Sequence, residues 1–521
     1  MMKGLKIKGL KTMLIISLLL ILNLSTVNAE NNYDFDPLSD IYLTVEINSI
    51  RALEDDIDKD SDPDFFIRVF INNDLFQSQV YHDTKYLYDI NWTATKNVPD
   101  DEKFVDIVIE LWDKDVVNKS CDISPDDIST RDHYNVEIKY DIRTGHWTGD
   151  DSLGCVDESG YGRLNGCDDE SFYKKERDCE LWFSIYQNDY DNDNVPYWAE
   201  VNLYNTDPLV SNLGEDLDND FLPFEYEHFW GYNPMLFEEH KEIDPEHDSL
   251  TNYEEYLTHQ WKSNPYADDL FLELDQMEEG PRGQGSKITD VTRELITTPY
   301  SKRNIVFHLD DGCMGGGETL PYERISWITN DRDIYQKYFL ENEWRRGVFR
   351  YGIIVNEHKP IAGLEFAGDG TIVDFCRPGL NCFIISSKIM EKSAGKTGNS
   401  VDYIFACAIF HELGHTMGVY MGYPPGCDNQ FSNSPFQIGW WRYKNYKSSM
   451  NYHYTYKMID YSDGTNGRND FNDWGNMELT HFEYSDKESE SQQNSMKDEI
   501  VQFISEKIEF MRYFLLLLSY L

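Results

Sequence analysis

Basic residues are scarce. The 521-residue chain carries 46 Lys and Arg against 94 Asp and Glu, a formal net charge of -48. Such a chain has little with which to displace counterions from a phosphate backbone, which excludes DNA and RNA as expected partners. It is also repelled by anionic lipid unless cations intervene. Long apolar runs are lacking: beyond the first 29 residues, no stretch approaches the roughly 20 apolar residues of a spanning helix. Cysteine is limited to nine residues. Packing material is plentiful, with 40% hydrophobic and 14% aromatic residues. That excludes wholesale disorder and suits about two to four domains. Carboxylates in such excess repel one another unless cations neutralise them, so the first question is where cations sit.

Residues 1–29 read as a secretory signal. Lys3, Lys6, Lys8 and Lys11 precede an apolar run, Met13 to Leu22, and Val27-Asn28-Ala29 supplies a small-residue cleavage site. The run is short for a membrane anchor. Export to a secreted or cell-surface location permits disulfides. Cys121, Cys155, Cys167 and Cys179 could form two bridges, and Cys313, Cys376, Cys382 and Cys427 two more, in pairings that sequence does not fix. Cys407, inside an apolar helical run, reads as a buried thiol. Residues 486–521 form an amphipathic, then apolar tail too short to span a membrane.

Residues 30–185 read as an all-β sandwich. IYLTVEI, DFFIRVFI, VDIVIELW and ELWFSIY are strand-like, with turns dense in Asp, Asn and Gly between them. One acidic loop carries Asp58, Asp60, Asp62 and Asp64, and another Asp113, Asp115 and Asp122. The region resembles the calcium-binding sandwich of synaptotagmin and protein kinase C. That resemblance implies calcium at one end and calcium-mediated contact with a membrane or surface; the alternative is solvated acidic turns.

Residues 186–265 hold three related segments, DYDNDNVPYWAE (189–200), DLDNDFLPFEYE (216–227) and DPEHDSLTNYEE (244–255). Each has carboxylates at positions 1, 3 and 5, an apolar residue at 7 and Glu at 12. The residues are Asp189, Asp191, Asp193, Val195 and Glu200; Asp216, Asp218, Asp220, Leu222 and Glu227; and Asp244, Glu246, Asp248, Leu250 and Glu255. A hard seven-coordinate cation wants this spacing. Alternate side chains turn inward, the carbonyl at 7 points in, and the Glu closes the shell with both oxygens. The segments resemble thrombospondin type-3 and related bacterial calcium repeats. They depart from the pattern at position 6, where glycine is expected but Asn194, Phe221 and Ser249 stand. Asn tolerates the left-handed conformation and Phe does so poorly.

After Pro265 strands and helices alternate. Segments 269–277, 304–311, 347–355 and 382–387 read as strands, and 401–419 as a buried helix carrying His411-Glu412-Leu413-Gly414-His415. Histidines at i and i+4 share a helix face and can reach one zinc, and Glu412 beside them can take a proton from water. Gly418 extends the motif to HExxHxxG, and Ser448-Ser449-Met450-Asn451-Tyr452 follows downstream. Together these resemble the metzincin zinc peptidases over about residues 266–485. The resemblance implies an α+β catalytic domain, a helix-ending turn at Gly418 and a Met-turn at Met450 beneath the metal. It also implies a role for Tyr452 on the metal or the developing oxyanion. A substrate strand is expected at Gly363–Phe366 or Cys382–Ser386. The family's third ligand position is Met421 here, and a thioether is a poor zinc ligand beside two imidazoles. Asp428 or Cys427 is expected to reach back instead, with Asp428 favoured because Cys427 is a candidate for a disulfide. His453 would point away, and Asp460, Asp463, Asp470 and Asp473 read as a solvated loop, with a calcium site as the alternative.

The sequence thus describes an exported, calcium-stabilised zinc endopeptidase acting on a protein or peptide. The alternative is an inactive calcium-binding surface or adhesive protein.

Overall fold

The structure, a computed structural model, describes residues 34–480 apart from 55–56, 59–60, 126–133, 152–160, 168–176, 282, 284, 286, 323–324, 327–334, 340–343, 357, 360–369, 373–381 and 420–423. The signal segment, Asp60, Gly363–Phe366, Met421 and the tail at 486–521 therefore lie outside the described residues.

The first region is two antiparallel sheets packed face to face. In one, Tyr42–Ala52 lies between Cys179–Gln187 on one side and Tyr86–Leu87 and Trp92–Asn97 on the other, and Tyr161–Asn165 pairs with Cys179–Gln187. The other has the order Asp74–Gln77, Phe65–Ile71, Phe104–Asp113, Val136–Asp141, Trp147–Gly149, and Lys119–Cys121 also pairs with Phe104–Asp113. Alternating apolar residues make this geometry: Leu43, Val45 and Ile47 from one sheet and Ile67, Val69, Ile107, Ile109 and Leu111 from the other are fully buried in one core.

The second region has little regular structure. Short helices at Phe224–Phe229 and Asn252–Thr258 follow the second and third acidic loops, and the latter starts with a capping box between Thr251 and Glu254. Small clusters around Val195, Phe224, Leu222 and Trp230 are its own apolar core.

The third region is a mixed sheet with helices. Its order is Val306–Asp310, Asp269–Met277, Phe349–Val355, Cys382–Ser386, Gly370–Ile372, parallel except for the last antiparallel strand. Every residue of Asp269–Met277, Phe349–Val355 and Cys382–Ser386 is buried, as strands covered on both faces must be. The Asp290–Ser301 and Val401–Thr416 helices pack into the core on this sheet. Cys382–Ser386 is an interior strand with both edges paired. The expectation that it offers an edge to a peptide is corrected: its backbone is already spent within the sheet.

The regions are bonded to one another. From the sandwich, Arg51 meets Ser301 at 2.8 Å and Glu294 at 3.3 Å, and Asn165 donates to the Ser301 carbonyl at 2.7 Å. From the repeats, Asp248 Oδ2 accepts the Asp269 amide at 2.6 Å, at the start of the central strand. Cys121, Cys167, Cys179, Cys407 and Cys427 are buried thiols, Cys313 is an exposed one, and Cys382 is disulfide-bonded. The expectation of bridges at Cys121, Cys167, Cys179, Cys313 and Cys427 is therefore corrected. Cys121 and Cys179 pack in the sandwich core, and Cys167 Sγ lies 3.6 Å from Asp178 Oδ2. Cys155 and Cys376 lie outside the described residues.

Candidate metal centres

The Val401–Thr416 helix is capped by Ser400, whose side chain accepts from the Tyr403 amide, and its buried face carries His411, Glu412 and His415. The helix ends at Gly418, whose φ of +96° suits glycine; the Val419 amide bonds back to the Gly414 carbonyl at 3.1 Å. Gly414 is required from another side, because a Cβ there would meet Met450 Sδ at 2.5 Å. Met450 thus lies directly against the helix. Its carbonyl accepts the Asp428 amide at 3.0 Å, which fixes Asp428 in front of the two histidines.

Asp428 Oδ1 lies 3.1 Å from His411 Nε2, and Oδ2 lies 3.2 Å from His415 Nε2. Each ring's other nitrogen faces a backbone carbonyl, Ser449 O at 2.8 Å for His411 and Val419 O for His415. A carbonyl accepts, so Nδ1 carries the hydrogen and both neutral rings aim Nε2 lone pairs at a carboxylate. Three acceptors facing one point need a cation or added protons. Without a metal the rings respond with protons: burial opposes the charge on His411, yet the Asp428 carboxylate outweighs it and raises the pKa to about 9. Two imidazoles and a carboxylate suit zinc in a site with an open position. Asp428 Oδ1 is buried and otherwise without a hydrogen-bond partner, which fits a metal ligand. Cys427 has its sulfur 4.0 Å from Val419 O, so of the two alternatives it is Asp428 that meets the histidines.

Glu412 is buried beside the pair, and burial raises its pKa against the pull of His411 and His415. The Tyr452 ring stacks 6.0 Å from that of His411, and burial, with the Asp428 and Glu412 charges, keeps its phenol protonated. His453 stacks on Trp440 at 3.5 Å, outside this cluster. Asp473 is buried, which corrects the expectation of a wholly solvated loop around Asp460, Asp470 and Asp473. They accept from Trp474, Ser462 and Tyr446.

The three acidic loops share one construction. The position-1 carboxylate accepts the amides at positions 4 and 6, as in Asp189 with Asn192 and Asn194, Asp216 with Asn219 and Phe221, and Asp244 with His247 and Ser249. The position-5 Oδ1 accepts the amide at 7 from Val195, Leu222 or Leu250. Position 6 is left-handed in all three, with φ of 70° at Asn194, 87° at Phe221 and 90° at Ser249. The second loop therefore does not depart from the pattern. The position-1 carboxylate holds Phe221 in a conformation its side chain disfavours, and the Lys241 ammonium sits 3.2 Å above its ring.

Many of the other oxygens are orphans, though Glu200 Oε1 accepts from the Thr206 hydroxyl at 3.1 Å. Both carboxylate oxygens of Asp191, Asp218 and Glu246 at position 3, and of Glu227 and Glu255 at position 12, are buried with no hydrogen-bond partner. Burial, then the neighbouring carboxylates, push Glu200 up to about 8, Glu227 to about 9 and Glu246 to about 11. Orphaned inward-facing oxygens in this spacing fit calcium.

The acidic end of the sandwich differs. Asp58, Asp113 and Asp115 converge, but on Lys119. Its ammonium lies 3.7 Å from Asp58 and 3.5 Å from Asp113 and is ion-paired to Asp115. Asp62 pairs with Lys85, and Asp64 accepts from Asp83 and meets His82. Asp122 accepts from Ser124. Lys119 stands in the same acidic segment as Asp113, Asp115 and Asp122, four residues after Asp115, and sequence reading counted only the carboxylates there. That reading also passed over His240, a lone histidine between the second and third repeats.

No protein-family model matches the chain, and no curated protein matches it. Among solved structures it is similar to a C2 domain, at 11% identity over 28% of this chain and 98% of that one, with a TM-score of 0.19. It is similar to a C2 domain of plant extended synaptotagmin 1, at 12% identity over 28% and 94%, TM-score 0.18. It is also similar to human GIVD cytosolic phospholipase A2, at 16% identity over 28% of this chain and 16% of that one, TM-score 0.18. No described helix is long and apolar enough to cross a membrane.

Proposed function

We propose that this chain is an exported zinc endopeptidase stabilised by calcium. The observation that carries the reading is the convergence of His411 Nε2, His415 Nε2 and the Asp428 carboxylate within 4.8 Å of one another, with Glu412 beside them. A zinc ion held by those three side chains would polarise a peptide carbonyl and make water a stronger acid. Glu412 takes the proton as the water oxygen bonds to the carbonyl carbon, and delivers it to the nitrogen as the carbon–nitrogen bond breaks. Tyr452, kept protonated by burial, donates a hydrogen bond to the oxyanion formed in between. Met450 and the Ser449 carbonyl hold Asp428 and His411 in place. The first and third acidic loops hold calcium and the second a divalent cation, which keeps the repeat region folded against the catalytic sheet.

The test is casein cleavage and zinc content on the full secreted chain in calcium buffer. Glu412→Ala keeps the wild-type zinc content and loses cleavage by about 100-fold or more, whereas His411→Ala and Asp428→Ala each lose zinc and cleavage. Cleavage unchanged in Glu412→Ala would overturn the peptidase reading. Full zinc and activity in Asp428→Ala would remove Asp428 as a ligand.

A further inference from the structure

The second loop holds a group that its two sisters do not need. Asp193 Oδ2 in the first loop accepts the Asn212 amide at 3.1 Å, and Asp248 Oδ2 in the third accepts that of Asp269. Asp220 Oδ2 in the second likewise accepts the Glu238 amide at 3.2 Å. The chain then turns so that His240, two residues on, enters the same space. His240 Nε2 lies 3.2 Å from Asp220 Oδ2 and 3.9 Å from Glu227 Oε1, and all three side chains are 0% exposed. His240 Nε2 and both Glu227 oxygens have no hydrogen-bond partner, and neither has either oxygen of Asp218.

Ligand atoms around a cation with bonds of about 2.0–2.2 Å lie roughly 3–3.5 Å apart; the His240–Asp220 separation of 3.2 Å falls in that range and the His240–Glu227 separation of 3.9 Å lies just beyond it. The far side of the ring is also arranged for a ligand. The Asn252 amide meets His240 Nδ1 at 2.9 Å, and the Asn252 oxygen has no partner. With the amide turned, that oxygen accepts from Nδ1–H, which is how metal-bound imidazoles are ordinarily oriented. Tyr232 packs edge-on against the ring at 5.0 Å. Calcium takes oxygen ligands. A site that spends a fully buried imidazole on its cation suits a first-row transition ion, for which nitrogen is a strong ligand.

We propose that Asp218, Asp220, Glu227 and His240 form a second transition-metal site, distinct from the His411–His415–Asp428 cluster, so that the three-loop array holds calcium at its ends and a transition cation in the middle. The inference rests on the reading of the loops as cation sites and not on peptidase activity.

The test uses the full secreted chain, equilibrated with cobalt(II) in a large excess of calcium, desalted and counted by mass spectrometry. The wild type is expected to hold two cobalt ions and two calcium ions. His240→Gln is expected to hold one cobalt, and the double variant His411→Ala/His415→Ala also one. The cobalt absorption spectrum of the double variant is expected to carry the bands of a nitrogen-ligated ion. A wild type with one cobalt and three calcium ions, in which His240→Gln leaves the cobalt and the double variant removes it, overturns the proposal and leaves the peptidase reading intact. A wild type with one cobalt that His240→Gln removes does the reverse. A wild type that binds no cobalt overturns both. If His240→Gln does not fold, the double variant decides: one cobalt supports the site and none overturns it.

Discussion

The repeat region and the acidic end of the sandwich solve the same electrostatic problem in opposite ways. Both gather three or more carboxylates at one point. In the sandwich the counter-charge is built in, because Lys119 sits among Asp58, Asp113 and Asp115. In the repeats the described residues place no ammonium or guanidinium among the inward oxygens of Asp191, Asp218 and Glu246, which are left without partners. Acidic density therefore does not by itself locate a cation site. What distinguishes the two is whether the fold supplies its own positive charge. Burying unpaired carboxylates costs several kcal/mol each, a cost that Lys119 offsets in the sandwich and that no described ammonium or guanidinium offsets at Asp191, Asp218 and Glu246.

The largest expected effect comes from removing the calcium proposed for the repeats. Binding at a hundredfold excess over Kd contributes about 2.7 kcal/mol per site, so chelation by EGTA at neutral pH should lower the melting temperature by on the order of 10 °C. Hydrogen exchange should rise across 189–255 and stay unchanged in the Tyr42–Ala52 and Phe104–Asp113 strands. Equal loss of protection in both regions would erase the contrast.

Next comes pH. Burial raises Glu200, Glu227 and Glu246 above the ordinary carboxylate range when no cation is bound. The folded state then holds protons that the unfolded chain has released. In EGTA, stability is full below about pH 4.5 and is lost as pH rises through the folded values, about 8 for Glu200 and about 9 for Glu227. Global acid effects act elsewhere, so the measurement is the calcium-induced rise in melting temperature, which should grow from pH 5 to 9. A rise independent of pH would mean these carboxylates do not hold the ion.

A smaller effect sharpens the comparison directly. Lys119→Ala removes the internal cation and strands Asp113, whose pKa burial already raises. We expect a loss of about 1–3 kcal/mol in EGTA, recovered when calcium is added, in a region where wild type is indifferent to calcium. No recovery would show that the three carboxylates are not spaced for an ion. Smallest is Ser249→Gly. Ser249 holds a φ of 90°, and glycine should gain about 1 kcal/mol there, read as a raised melting temperature in calcium.

Local spacing was legible in the sequence and distant encounters were not. The strand expected at 269–277 spans Asp269–Met277, and the helix expected at 401–419 spans Val401–Thr416, because hydrophobic period and a Ser cap are written locally. The turns at positions 1 to 7 of the loops are local, formed by amides within five residues of the position-1 carboxylate, whereas the amides of Asn212, Glu238 and Asp269 that meet position 5 come from 18 to 21 residues on. Phe221 misled because a side-chain preference of about 1–2 kcal/mol was weighed without the Asp216 carboxylate that overrides it. His240 was invisible as part of a site, since it meets Asp220 and Glu227 only after the chain turns back on the second loop; Lys119 was in plain view beside Asp115, and only its approach to Asp58 needed the fold. The interior place of Cys382–Ser386 depends on Gly370–Ile372 folding back antiparallel, which its apolar run does not encode.

The hydrogen bond from the Asp269 amide to Asp248 has a practical corollary for dissecting the molecule. A fragment begun at residue 266, where composition suggests a border, would keep the Val401–Thr416 helix but strip the acceptor from the first residue of the central strand. It would also lose the Asn264 amide that bonds Asp269 Oδ2 at 2.8 Å. The boundary visible in composition runs through the contacts that join the last loop to the first strand, and a fragment that keeps them has to begin upstream of Asp244.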